Sequence, residues 1–226
     1  RSSPNTFVVD TFNAATTVVV EAEDYNYSGG QFLANPTPGA YANRPGTREI
    51  DFHNNRYNGV DASTVYRVGD LVGQAVTADA ARKAFTDVGA TDHQLTAVLA
   101  GDWWNYTRTL ADSNYRIYLR GSSAVAQGVR LDLVSGATSV NQTVTTLGTF
   151  SVAPGSTSFT YAPLADAAGN PVMVHLSGDT TLRLTALAAA VNLPLNYLLL
   201  VPTTSAVSSA YLAEASPAFG AVNVAP

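Results

Sequence analysis

A chain of 226 residues, 46% hydrophobic and only 13% charged, is long enough to bury a substantial core without covalent staples, and it holds no cysteine to make any. Its net charge is −5, and its 12 basic residues are scattered, so there is no phosphate footprint and a nucleic-acid partner is excluded. No apolar run is long enough to span a membrane as a helix. The remainder is rich in Thr, Ser, Asn, Gly, Ala and Val, a profile that suits strands and turns more than helices.

Residues 1–16 are mixed and polar, with a turn at Pro4-Asn5 and a short edge strand over Phe7–Val9. The first clear strand is expected over Thr16–Glu23, where Val18-Val19-Val20 leads into Glu21-Ala22-Glu23-Asp24-Tyr25. In a strand, Glu21 and Glu23 share one face. Two like charges side by side repel unless a cation or a basic group lies between them. Two readings fit: a solvated acidic strand end, or paired hard oxygens that hold Ca²⁺. Ser28-Gly29-Gly30 ends the strand.

Residues 31–64 form a long irregular stretch, punctuated by Asn35-Pro36, Pro38-Gly39, Pro45-Gly46 and Asn58-Gly59. Tyr41, Phe52, Tyr57 and Tyr66 are spread through it or just beyond. A stretch this long without regular structure usually has a function. Short strands are expected over Val65–Val68 and Leu71–Val76, and a helical turn or two over Ala78–Phe85. The pattern then becomes regular. Gln94–Leu99 and Trp103–Leu110 read as strands flanking Ala100-Gly101-Asp102. Tyr115–Arg120 alternates with Tyr115, Ile117 and Leu119 inward, and Val129–Val134 with Val129, Leu131 and Leu133 inward. Val144–Val152, Thr157–Pro163, Val172–Leu176, Thr180–Leu187 and Leu195–Val201 complete about ten strands. Many short strands at this spacing predict an all-β, two-layer β-sandwich.

No catalytic constellation is visible. There is no Gly-x-Ser-x-Gly elbow, no His-Glu-x-x-His helix and no phosphate loop. His175 sits in an apolar strand and reads as a core residue. Asp51 and His53 share a face if their segment is extended, but no third partner is identifiable. Glu21 and Glu23, as neighbours on one face, do not straddle a sugar as glycosidase carboxylates must.

Three stretches, taken together, carry a family resemblance. Glu21-Ala22-Glu23-Asp24-Tyr25 resembles the opening strand of carbohydrate-binding modules of families 6 and 35 and their relatives. Gly101-Asp102-Trp103-Trp104-Asn105-Tyr106 is similar to their middle strand, and Leu195-Asn196-Tyr197-Leu198 to their closing strand. The order is the family's, and the three frame residues 17–201. The resemblance implies a jelly-roll β-sandwich over 17–201, with residues 1–16 as an extension and 202–226 as a linker into a further domain. It also implies a structural Ca²⁺ between the first and last strands, held by Glu21, Glu23 and Asn196, with Asn196 where the family usually has aspartate.

Sugar sites stack aromatic rings on pyranose faces and bond the hydroxyls with amides and carboxylates. In the resembled modules an edge site uses two aromatics and an asparagine near the closing strand, which Asn192 would match here. The loop after Arg120 carries no aromatic, so the rings are expected from the 31–66 loop. The candidate ligand-binding residues are Tyr41, Tyr57, Tyr66, Trp104 and Asn192, with Phe52 also in reach; Trp103 and Tyr106 are expected to pack in the core. The implied function is a non-catalytic carbohydrate-binding module of a larger secreted, extracellular bacterial protein, tethered to other domains, whose partner is a polysaccharide or oligosaccharide. A structural spacer or adhesion domain of a surface protein is the alternative, and a polysaccharide-degrading enzyme ranks below both.

Overall fold

The computed structural model describes residues 15–56, 62–77, 79, 91–154, 158–187 and 193–203. The edge strand expected over Phe7–Val9, Tyr57, Asn192 and the tail after Thr203 lie outside the described residues, as does the helical turn over Ala78–Phe85 apart from Asp79. Among the described residues every regular element is a strand: β1 (Val18–Glu21), β2 (Phe52–His53), β3 (Gln74–Val76), β4 (His93–Leu95), β5 (Trp103–Gly121), β6 (Gln127–Ser135), β7 (Thr143–Val152), β8 (Thr160–Ala165), β9 (Met173–Ala186) and β10 (Leu195–Thr203). The fold is all-β.

Two pairs of strands expected to be separate are each continuous. The stretch from Trp103 to Gly121 is one 19-residue strand, and Met173 to Ala186 is another of 14. They pair antiparallel along most of their length, and between Leu110 and Ser113 the register shifts, so that Ala111 and Asp112 stand opposite Ser177 alone. That is a bulge, and a bulge bends a strand without ending it. Before it β5 lies between β2 and β9; beyond it β9 stays paired as far as Arg116, β8 then takes that edge from Tyr118, and β10 pairs along the other edge. Beside the first half, β6 joins β9 and β7 joins β6. β8 also pairs with β7, which closes the circuit.

The core lies between these faces. Val129 and Leu131 of β6, Leu182 and Leu184 of β9, Trp104 and Tyr106 of β5 and Leu198 and Leu200 of β10 pack in one buried cluster. The alternation read from the sequence at Tyr115, Ile117 and Leu119 matches, each being buried. Val65–Val68 forms turns and bends instead of a strand, and the expected strand at Leu71–Val76 is confined to Gln74–Val76. His175 is not a core residue. Its side chain is 64% exposed, with Nε2 3.2 Å from Asp112. It points outward because it lies one residue from Val174 and Leu176, whose side chains face in.

Candidate functional site

Two arrangements bring polar side chains together. The first lies where the chain ends meet. β1 pairs with β10 from Val18↔Leu200 to Glu21↔Tyr197, and Ala22 N–H then donates to the Asn196 carbonyl at 2.8 Å. The strand stops at Glu21, and Asp24 N–H closes a turn on the Glu21 carbonyl at 3.1 Å. The turn, not strand alternation, gathers the two glutamates.

Asp92 joins them. It stands just before β4, which pairs with β10 at Leu195↔Leu95, so the sheet carries it to the same place. One carboxylate oxygen from each of Glu21, Glu23 and Asp92 lies within 4.8 Å of the others. Asn196 is fully buried, and its Nδ2 donates to Asp79 Oδ2 at 2.9 Å and Asp92 Oδ2 at 3.2 Å. Asp79 is held in turn by the Arg120 fork at 2.8 Å on each oxygen. These bonds fix the amide so that Nδ2 is used and Oδ1 is left, buried and without a hydrogen bond; Glu23 Oε2 is left in the same state. Burial pushes the Glu23 carboxyl well above its ordinary range, and Asp24 and Asp92 add to the rise. Such a nest of oxygens is electrostatically poor by itself and suited to a hard cation.

The second arrangement is the outer face of β5, β9 and β6. Register places Trp103 beside Thr185 and Arg130, and Asn105 beside Arg183 and Asp132. Trp103 is half-buried. The Arg183 guanidinium carbon lies 3.7 Å from the centre of its ring, and the His53 imidazole stacks on it at 6.2 Å and 16°. Arg183 Nε donates to Asn105 Oδ1 at 2.9 Å, and its Nη2 donates to Gln142 Oε1. Gln142 Nε2 reaches the Ile50 carbonyl at 2.8 Å, so the turn between β6 and β7 is tied down along the rim. The Thr185 hydroxyl makes no hydrogen bond. The result is a row of flat, stacked groups with polar atoms around it.

Among the described residues of the 31–66 loop, the expected ring platform does not form. Tyr41 is fully buried. Its hydroxyl accepts from Leu33 N–H at 2.9 Å and from Arg108 Nη1 at 3.0 Å, and its ring packs edge-on to Tyr27. Trp104 is 2% exposed and Phe52 likewise. These rings cannot meet a sugar face, which corrects the expectation for Tyr41 and Trp104. Tyr66 is half-buried, stacked on His93 at 4.6 Å, with its hydroxyl donating to Asp24 Oδ1 at 2.7 Å. The loop is folded inward by its own carboxylates. Asp51 accepts backbone N–H groups of Gly29, Gly30 and Thr47 at 2.9, 2.6 and 2.7 Å, and Asp70 accepts the Tyr25 hydroxyl at 2.7 Å. Asp51 therefore forms no acid–base pair with His53, whose Nδ1 lies 2.9 Å from Glu49 Oε1.

Several solved structures match this chain at low identity. The C-terminal family 6 carbohydrate-binding module of a laminarinase from Zobellia galactanivorans is 17% identical, with 82% of this chain and 98% of that one covered at a TM-score of 0.44. A family 6 module from Clostridium stercorarium in complex with cellobiose is 10% identical, covering 87% and 100% at 0.47. A family 36 module of a multidomain xylanase from the hindgut metagenome of Trinervitermes trinervoides is 15% identical, covering 84% and 99% at 0.41. No protein-family model matches the chain, and no curated protein does.

Two residues of these sites escape a reading of the sequence, for different reasons. Asp92 lies in Thr91-Asp92-His93, which carries no motif, and only the pairing of β4 with β10 brings it to Glu21. Trp103 had a signal. Tyr106 faces the core, and in a strand that parity puts Trp104 inward and Trp103 outward. Treating Trp103 and Tyr106 as core partners contradicts the period of two.

Proposed function

We propose that this chain is a non-catalytic carbohydrate-binding module of jelly-roll type from a larger secreted protein, that it binds a polysaccharide on the outer face of β5, β9 and β6, and that it holds a structural Ca²⁺ at its chain ends. The observation that carries the binding reading is Trp103, a half-buried indole on a polar sheet face, in contact with His53 and Arg183. Large aromatic rings supply apolar area at low entropic cost, and the guanidinium beside this one supplies hydrogen bonds for a sugar. The carboxylates nearby are occupied in structural work. Asp132 has both oxygens on Arg130 Nε at 2.8 Å, and Asp102 accepts from Asn55 and Leu99 N–H, each at 2.8 Å. Neither is set across a cleft as a glycosidase acid and nucleophile would be.

The Ca²⁺ reading rests on donor chemistry. Glu21, Glu23 and Asp92 supply three carboxylates and Asn196 an amide oxygen, all hard ligands. Asp92 restores the charge that an asparagine at 196 gives up. Arg120 and Asp79, which orient the Asn196 amide, are the outer partners such a site needs.

Affinity electrophoresis against a panel of polysaccharides tests the binding reading. Trp103→Ala is expected to weaken retention roughly 30-fold, the effect of losing about 2 kcal/mol from an aromatic anchor. Its melting temperature should fall little, because the ring's packing on Arg183 contributes only about 1 kcal/mol. A wild-type chain retained by no polysaccharide would leave the spacer reading in its place.

A further inference from the structure

Among the described residues, the outer face carries a positive charge that no contact on it neutralises. Arg130 and Asp132 form a pair at 2.8 Å, and Asp132 Oδ1 also accepts the Thr146 hydroxyl at 2.8 Å. Asp132 is fully buried. Its oxygens are therefore committed. Arg183, its cross-strand neighbour, is bonded instead to two neutral amides, Asn105 and Gln142. Glu49 is engaged by His53 and by Arg48, whose Nε lies 3.3 Å away. Among the described residues the three paired strands of this face thus hold two guanidinium groups and one carboxylate, and the surplus cation is Arg183.

Its geometry is set for an anion. Stacking on Trp103 covers one guanidinium face and fixes its plane. The amides take Nε–H and one hydrogen of Nη2. A guanidinium has five N–H groups in a rigid fork, so both hydrogens of Nη1 and the second of Nη2 remain in the plane. Paired N–H groups at that end match the two oxygens of a carboxylate. The Arg183 guanidinium is pulled down to about 10, chiefly by burial, with Asp132 opposing the fall and Arg130 adding to it. A cation that has lost part of its hydration, with no anion in contact, gains more from an incoming one than a solvated cation does.

We propose that the saccharide bound on this face is acidic, and that Arg183 takes the carboxylate of a uronic acid unit lying beside Trp103. The proposal rests on the carbohydrate-binding reading and narrows its ligand. It also answers a charge problem. The whole chain has a net charge of −5, which repels a polyanion at long range, so retention of one must come from a local site.

The experiment compares polygalacturonate, its fully methyl-esterified form, a neutral xylan and dextran sulfate as affinity-electrophoresis matrices for the same chain. Polygalacturonate should be bound at least tenfold more tightly than its methyl ester, and the difference should shrink as salt rises. Arg183→Gln should remove that preference, so that the acid and its ester are retained alike. Arg183→Lys, which keeps the charge and loses the fork, should recover only part of it, and melting curves of both variants report whether the face is intact. Equal binding of the acid and its ester overturns the proposal while the carbohydrate-binding reading stands. So does retention by dextran sulfate alone, which would assign the face to sulfate esters. Retention by none of the four matrices overturns the proposal together with the reading it rests on.

Discussion

Ca²⁺ added to chelator-treated protein is expected to raise the melting temperature, and Glu23→Gln is expected to abolish the response. An ion that binds only the folded chain adds about 2.7 kcal/mol at a hundredfold excess over its Kd, roughly 5–10 °C for a domain of this size. The pH dependence gives the effect a second signature. Glu23 is 3% exposed, and burial with Asp24 and Asp92 nearby raises its carboxyl well above the ordinary value. For an acid whose folded value is raised, the stabilising contribution is complete below its unfolded value, near 4.5, and is lost as pH climbs through the folded one. Without metal, the melting temperature should therefore rise on acidification through that window. With saturating Ca²⁺ the carboxylate is the bound form, protons compete with the ion, and the trend should reverse. Glu23→Gln removes the buried charge, so in chelator at neutral pH it should be as stable as the wild type or more so. Mg²⁺, which needs tighter octahedral geometry and keeps its waters, should do less. Melting curves that coincide with and without Ca²⁺, together with a Glu23→Gln chain less stable than wild type in chelator, would sink the cation site.

What the sequence shows of this molecule follows from the range of the interactions involved. Period-two alternation is local, so the inward faces at Tyr115, Ile117 and Leu119 and at Val129 and Leu131 are legible, and with them the all-β class. The bulge at Ala111-Asp112 is not legible. Turn-like residues there look like a strand end, and β5 continues because β9 stays paired with it on both sides. The 31–66 loop misleads in a similar way. Turn residues and scattered aromatics read as an exposed binding loop, yet Tyr41 and Phe52 are core, because Asp51 and Asp70 satisfy the backbone of the turns from within. Aromatic residues in an irregular segment pack inward whenever buried carboxylates can accept the N–H groups that would otherwise need water. Three of the four residues of the candidate metal nest are visible in the sequence: Glu21 and Glu23 lie two apart in one stretch, and Asn196 is implied by the family resemblance. Asp92 was invisible because it arrives through a third strand.

Arg67→Met should destabilise the fold by about 3–5 kcal/mol, the usual cost of leaving one member of a buried ion pair alone. Arg67 is 1% exposed, with Nε 3.0 Å from Asp70 Oδ2 and its guanidinium carbon 3.6 Å from the centre of the Tyr25 ring. Its Nη1 donates to the carbonyls of Tyr25 and, at 3.3 Å, Glu23, and its Nη2 to the carbonyl of Asn26 at 3.1 Å. One side chain thus supplies hydrogen-bond donors to the turn that carries Glu23. Asp70, its partner, holds Gly46 N–H at 3.0 Å and the Tyr25 hydroxyl. Removing the guanidinium strips three carbonyls of donors and leaves the Asp70 charge in a dry site. The double variant Arg67→Met/Asp70→Asn removes that stranded charge, so it should lose less than the sum of the two single changes, and a double-mutant cycle in urea measures the difference. Because the Glu23 backbone is one of the groups released, the Arg67→Met chain should also need more Ca²⁺ for the same rise in melting temperature. A variant within 1 kcal/mol of wild type by urea midpoint, with an unaltered Ca²⁺ response, would mean that the loop is held by its turns and not by this pair.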